Sequence, residues 1–244
     1  MPQDWQEHPS WEQGPELALT DCERLVVVSA HPDDESLGVG GLVTTADRAG
    51  IPVYVVLLTA GESSHPPHET CSRHALATRR LAELDAAVDL MAPGSPVVFI
   101  GAPDGGVADV EDEVVAALSE IVGDGQGTLL VAPWRHDGHP YHDAAGRAAA
   151  RVTAGCAARL AEYPLLMWRT LDPVEAPWDR MSVVRLDEDA LQTKLAAIRA
   201  HSSQIRTGGE GQWLAPFHVP VEHLVVDRVA VPRPRLELRV AQAS

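Results

Sequence analysis

Positive charge is scarce in this 244-residue chain: 19 lysines and arginines stand against 35 aspartates and glutamates, a formal charge of -16. Such a chain would repel phosphate backbones, which sets nucleic acid aside as a partner. Lysine is nearly absent. Lys194 is the only one, so almost all basic charge is arginine. Cysteine is as sparse: Cys22, Cys71 and Cys156 lie far apart and form no CxxC pair. That excludes a disulfide framework and a thiolate metal site. No apolar run approaches the roughly 20 residues needed to cross a bilayer, so no membrane span is expected. The opening MPQDWQEHPSWEQGPELALTD is acidic and lacks the apolar stretch of a secretory signal, which makes the cytoplasm the expected location.

What is present suits a soluble α/β protein. Apolar residues make up 45% and charged residues 22%, ordinary values for a globular chain. The length favours one domain with a large core over two small ones. Residues 1–22 show no periodicity and read as an irregular lead-in, leaving 23–244 as the domain. Within it, Arg24 to Ser29 (RLVVVS) and Pro52 to Thr59 (PVYVVLLT) are continuous apolar runs, the pattern of strands buried on both faces. Between them Ser36 to Ala49 reads as a helix closed by Gly50.

The alternation continues along the chain. Helices are expected at Thr70 to Leu90, Val110 to Val122, His142 to Ala161 and Glu188 to Ser202. Strands are expected at Val97 to Ile100, Thr128 to Ala132, Pro164 to Arg169 and Ser182 to Arg185. The Gly- and Pro-rich stretch 206–221 reads as a loop. Strands alternating with helices predict a single Rossmann-like domain, a mostly parallel central sheet flanked by helices.

Two clusters carry chemistry. Ala30 to Glu35 reads A-H-P-D-D-E, directly after the first strand and before a helix. Ligands gather at the carboxyl ends of strands in such sheets. Three acids in one turn repel one another unless a cation or hydrogen-bond donors neutralise them. A divalent metal does so at once, and zinc suits a mixture of imidazole and carboxylate. Pro32 stiffens the turn so that His31 and Asp34 can face one point. The competing reading is a helix N-cap cluster, which fits Glu35 best. The second cluster, P-W-R-H-D-G-H-P-Y-H-D (133–143), follows the TLLVA strand. There either His139 or His142 can complete the metal site while the other faces substrate, and His136 reads as an ordinary loop residue.

On these motifs the chain resembles the PIG-L/LmbE-type deacetylases, zinc enzymes that remove N-acetyl groups from GlcNAc-containing molecules. A-H-P-D-D-E matches the first family motif, and H-P-Y-H (139–142) stands for the second, usually H-P-D-H. T-A-G-E (59–62), Arg80 to Glu83, Pro103 to Gly105 and H-S-S-Q (201–204) match as well. The resemblance implies Zn2+ held by His31, Asp34 and His142, with Asp33 as general base and His139 stabilising the oxyanion. It also implies a small amino-sugar substrate; around the metal, Arg80 and Asp104 are the candidates for contacts to sugar hydroxyls, because charged hydrogen bonds orient polyols well. Tyr141 departs from the family, whose Asp there tunes the neighbouring histidine; Asp137 and Asp143 are the candidates to replace it. His201 and Gln204 are further pocket candidates, and Trp134 fits the core better than a sugar-stacking role.

Three other readings compete with this one. A nucleotide-binding module is suggested by Gly38, Gly40 and Gly41, but G-V-G-G is not G-x-G-x-x-G, and three preceding acids would repel a pyrophosphate. An amidase acting on a thiol conjugate or another non-acetyl amide of an amino sugar would use the same residues. A catalytically inactive metal-binding relative would lack a use for Asp33 and His139. Self-association into a homo-oligomer stays open.

Overall fold

The RLVVVS run forms strand β1 (Arg24–Ser29), from which a regular alternation follows in the computed structural model: α1 (Asp34–Arg48), β2 (Val53–Leu57), α2 (Arg73–Met91), β3 (Val97–Phe99), α3 (Glu111–Val122), β4 (Thr128–Pro133), α4 (Pro140–Ala154) and β5 (Arg159–Tyr163). After α5 (Met167–Thr170) come β6 (Met181–Arg185), α6 (Glu188–Ala200), α7 (Ser202–Ile205) and β7 (Val221–Val226). The structure describes residues 5–63, 72–205 and 214–227; Thr70, Cys71 and residues 206–213 of the Gly- and Pro-rich stretch lie outside them.

The strands form one seven-stranded sheet in the order β3-β2-β1-β4-β5-β7-β6. Pairings from β3 to β5 are all parallel, whereas β7 runs antiparallel to both β5 and β6. Alternation within β1 explains the layering: Leu25 and Val27 join the core on one face, Val26 and Val28 the core on the other. The first core is covered by α1, α2 and α6, the second by α3 and α4. Because β2 and β3 lie to one side of β1 and β4 to the other, the chain reverses direction across the sheet between β1 and β4. Crevices open at such a switch point, beyond the carboxyl ends of the strands.

Two sequence expectations fail in one stretch. The helix read as His142 to Ala161 stops at Ala154, and Arg159–Tyr163 is a strand instead. Its Ala- and Arg-rich composition imitates a helix, but the parallel register against β4 and full burial from Ala161 to Tyr163 override that propensity. Pro164 to Arg169 is not a strand. The backbone N–H groups of Leu165, Leu166 and Met167 all donate to the Asp137 carboxylate, at 2.8, 2.8 and 3.0 Å, so none is left for a ladder. Strand β7 has no counterpart among the elements expected from the sequence. The lead-in is irregular apart from a short 3-10 turn at Trp5–Glu7 and a bridge from Glu16 to Val183, and the Trp5 indole donates to the Trp168 carbonyl.

The G-V-G-G glycines serve packing. A Cβ on Gly38 would sit 2.2 Å from the Tyr163 ring, and one on Gly41 would sit 2.3 Å from Leu186. Helix α1 also breaks at Val39 (φ -142°, ψ 22°), and Glu222 of β7 accepts from the freed N–H groups of Gly41 and Leu42 at 2.7 and 2.8 Å. Lys194 pairs with the same carboxylate at 2.7 Å, both side chains almost wholly buried.

A comparable approach brings α4 down onto β4. At Gly146 a Cβ would meet the Pro133 carbonyl oxygen at 2.4 Å and the Arg135 nitrogen at 2.6 Å. Backbone cannot step aside as a flexible side chain can. Gly146→Ala is therefore expected to destabilise the fold by about 3 kcal/mol, the upper part of the overpacking range. A urea midpoint indistinguishable from that of the unaltered protein would refute this packing account.

Candidate active site

Chain order and sheet order together bring the two clusters face to face. The AHPDDE turn leaves β1, the HDGHPYH segment leaves the adjacent β4, and both lie at the switch point. His31, Asp34 and His142 each offer a ligand atom within 4.8 Å of the others. The His142 Nε2 lies 3.5 Å from Asp34 Oδ1. The other Asp34 oxygen accepts from the backbone N–H of Ala30 and His31, at 2.8 and 2.9 Å, so the carboxylate is aimed by the turn that carries it.

Electrostatics show what this cluster lacks. Burial opposes charge on Asp34, yet His142 and His31 hold its pKa down to about 2. Burial likewise opposes charge on His142, but Asp34 and Asp137 raise it to about 10. A buried pair of carboxylates thus calls for positive charge between them. A divalent cation supplies that charge, and two imidazoles with one carboxylate form the donor set of a catalytic zinc site with an open position. The residues fit a metal.

Asp137 is the support for this cluster. Its Oδ2 lies 2.6 Å from His142 Nδ1, and its oxygens also take the three N–H groups of 165–167. A carboxylate behind a ligating histidine fixes the ring and its tautomer. Neither proposed substitute for the family Asp touches His139: Asp137 serves His142, and Asp143 accepts from the Gly138 N–H at 3.0 Å. Instead, His139 caps α4, its Nδ1 accepting from the Tyr141 N–H at 3.3 Å. That contact leaves the proton on Nε2 of the neutral ring. Burial, together with charge on His142 and His31, lowers the His139 pKa to about 4, which keeps the ring neutral.

Asp33 sits at the N-cap of α1 with φ 118° and ψ -23°, and its side chain makes no capping bond. Burial and the adjacent Asp34 lift its carboxyl to about 7. The backbone that presents it is held by Glu35, whose Oε2 accepts from the Asp33 N–H at 3.2 Å. Glu35 Oε1 in turn meets Ser36 Oγ at 2.7 Å and His201 Nε2 at 3.1 Å, all three residues fully buried. Glu35 therefore braces the turn from behind, as its helix-start reading allowed, and His201 belongs to that brace.

Backbone at positive φ with a side chain attached is costly, of order 1–3 kcal/mol. Asp33→Gly removes both that strain and a carboxyl beside Asp34. The metal-free variant is expected to unfold at higher urea than the parent by about 1 kcal/mol or more, while any activity disappears. A lower midpoint would show that the turn is not strained.

Two cavities meet here. The larger, about 360 Å³, is lined by polar and charged residues, among them His31, Asp33, Arg80, Asp104, His139 and Tyr141. Arg80 is 4% exposed, donates Nη1 to the Gly61 carbonyl at 2.7 Å, and leaves its buried Nε without a hydrogen-bond partner among the described residues. Asp104 lies 3.5 Å from His31 Nε2 and accepts from the Ser63 N–H at 2.5 Å. Trp134 is buried in the core, and His136 is exposed beside it. The smaller cavity, about 160 Å³, shares Asp33 and His139 with the first.

Known proteins resemble this chain in sequence and in fold. Residues 26–153, just over half of the chain, match the family described as PIG-L: GlcNAc-PI de-N-acetylase. A Mycobacterium sp. (strain KMS) protein named 1D-myo-inositol 2-acetamido-2-deoxy-alpha-D-glucopyranoside deacetylase is 28% identical, the match covering 88% of this chain and 82% of that protein. A Bacillus subtilis (strain 168) protein named probable N-acetyl-alpha-D-glucosaminyl L-malate deacetylase 2 is 30% identical, over 75% of this chain and 83% of its own length. Among solved structures, the N,N'-diacetylchitobiose deacetylase from Pyrococcus horikoshii shares the fold, with a TM-score of 0.62 at 21% identity over 82% of this chain and 77% of that one.

Proposed function

The chain belongs to the PIG-L family of GlcNAc de-N-acetylases, hydrolases of the amide bond of amino sugars, and from that premise we propose a zinc-dependent mechanism with named residues in each role. His31, Asp34 and His142 hold Zn2+, Asp33 is the general base, His139 is the oxyanion donor, and Arg80 and Asp104 orient the sugar of a small amino-sugar amide. The observation that carries this reading is the meeting of two imidazoles and a carboxylate at the switch point, within 4.8 Å, with Asp33 beside them.

When bound, zinc lowers the pKa of water towards ~7 and polarises a carbonyl oxygen. Asp33 lines both cavities, where it can take a proton from the water that attacks the amide carbon. His139 presents its Nε2–H to the oxygen that gains negative charge, a donor that needs no protonation to act. Asp33 then returns the proton to nitrogen as the C–N bond breaks, releasing acetate and the free amine. Arg80, whose buried Nε has no hydrogen-bond partner among the described residues, suits a sugar hydroxyl as acceptor.

The test is a panel of N-acetylglucosamine-containing small molecules incubated with zinc-loaded protein, followed by detection of primary amine and acetate. Equal amounts of both are expected from at least one member. Absence of amine from every member, with stoichiometric zinc bound, would overturn the proposal.

A further inference from the structure

We propose that the smaller cavity is an acyl subsite, built for apolar acyl groups of about four to six carbons and not for acetyl alone. The inference rests on the amide-hydrolase reading above and assigns the second substituent of the scissile amide. An amide carbonyl carries the amino sugar on one side and the acyl chain on the other. The two cavities meet at Asp33 and His139, so a carbonyl held between those residues has one cavity for each substituent. The larger, with Arg80 and Asp104, matches a polyol. The smaller has Asp34 and His142 at its metal end, beside the shared Asp33 and His139, and Leu37, Leu165, Leu166 and Phe217 as its apolar walls, with the exposed Arg169 also lining it. Hydrocarbon belongs there.

Size supplies the second argument. An apolar cavity of about 150 Å³ holds a benzene-sized group; the smaller cavity is about 160 Å³, and with its Asp34–His142 end kept for the metal the apolar remainder still exceeds the methyl of an acetyl group. The wall is also rigid. Leu165 and Leu166 are held by their N–H bonds to Asp137, the same carboxylate that orients His142, so the distance from pocket to metal ligand is set by one residue.

Burial of each added methylene is worth roughly a fourfold gain where the chain fits. For the zinc-loaded enzyme, kcat/KM on N-butyrylglucosamine is expected to exceed that on N-acetylglucosamine by about tenfold, with N-hexanoylglucosamine at least as good as butyryl. Leu166→Trp, at a partly exposed wall position, should cut the butyryl-to-acetyl ratio by about the same factor. Product carboxylates report independently of turnover: calorimetric titration should show butyrate binding the zinc-loaded protein about tenfold more tightly than acetate, a difference that Leu166→Trp removes. Acetyl hydrolysis without a butyryl advantage would overturn the subsite and leave the deacetylase reading intact. Failure to cleave any of the three amides would count against that reading, and the two carboxylates would then decide the subsite: equal binding overturns it.

Discussion

Asp33→Asn is expected to bind zinc as fully as the parent protein and to turn over substrate about 10²–10⁴-fold more slowly, the usual contribution of a positioned acid-base group. Asparagine keeps the shape of the side chain and tolerates positive φ, so the turn built on φ 118° survives the change. What it removes is the ability to accept a proton. Metal analysis alongside steady-state kinetics separates the two effects. Near-normal turnover in a metal-replete Asp33→Asn protein would remove Asp33 from its role. Loss of zinc in that variant would make it a ligand, and the geometry that leaves it outside the group of three would need another explanation.

His142→Ala is expected to lose both zinc and activity. The ring is one of the three donors that meet there among the described residues, and its removal leaves Asp34 and Asp137 as buried carboxylates with no cation between them. Asp137→Asn should behave as a graded version, weakening zinc by about 10- to 100-fold, because the histidine stays but loses the partner that orients it. The variant also leaves three N–H groups with a poorer acceptor. Its melting temperature should therefore fall even without metal. Zinc titrated against a competing chelator measures both affinities. Unchanged affinity in His142→Ala would move the metal elsewhere, since no other group of three His, Cys, Asp or Glu ligands occurs among the described residues.

Much of this was legible in the residues because the decisive segments are local. β1 and β4 announce themselves as unbroken apolar runs, and the chemical motifs begin at their ends, so strand position and site position are read together. Less legible was everything joined across long stretches of chain. The Asp137 carboxylate takes donors 28 to 30 residues away, and that capture turns an apparent strand into a wall of the site. No periodicity reports it, although an aspartate five residues before a ligating histidine could have drawn notice. His201 reaches Glu35 across 166 residues. β7 was missed because Glu222 and His223 interrupt its apolar pattern, and both are buried for reasons found elsewhere: one closes the break in α1, the other meets the Trp11 carbonyl.

The pairing of Lys194 with Glu222 has a practical consequence for handling the protein. Since no second lysine exists anywhere in the chain, the folded molecule offers acylating dyes and amine cross-linkers no reachable ε-amine. A mass increase at that position after treatment with an activated ester would mark molecules in which β7 had parted from α6. The lone lysine is thus a built-in reporter of opening where α6 covers this end of the sheet, readable with a single amine-reactive reagent.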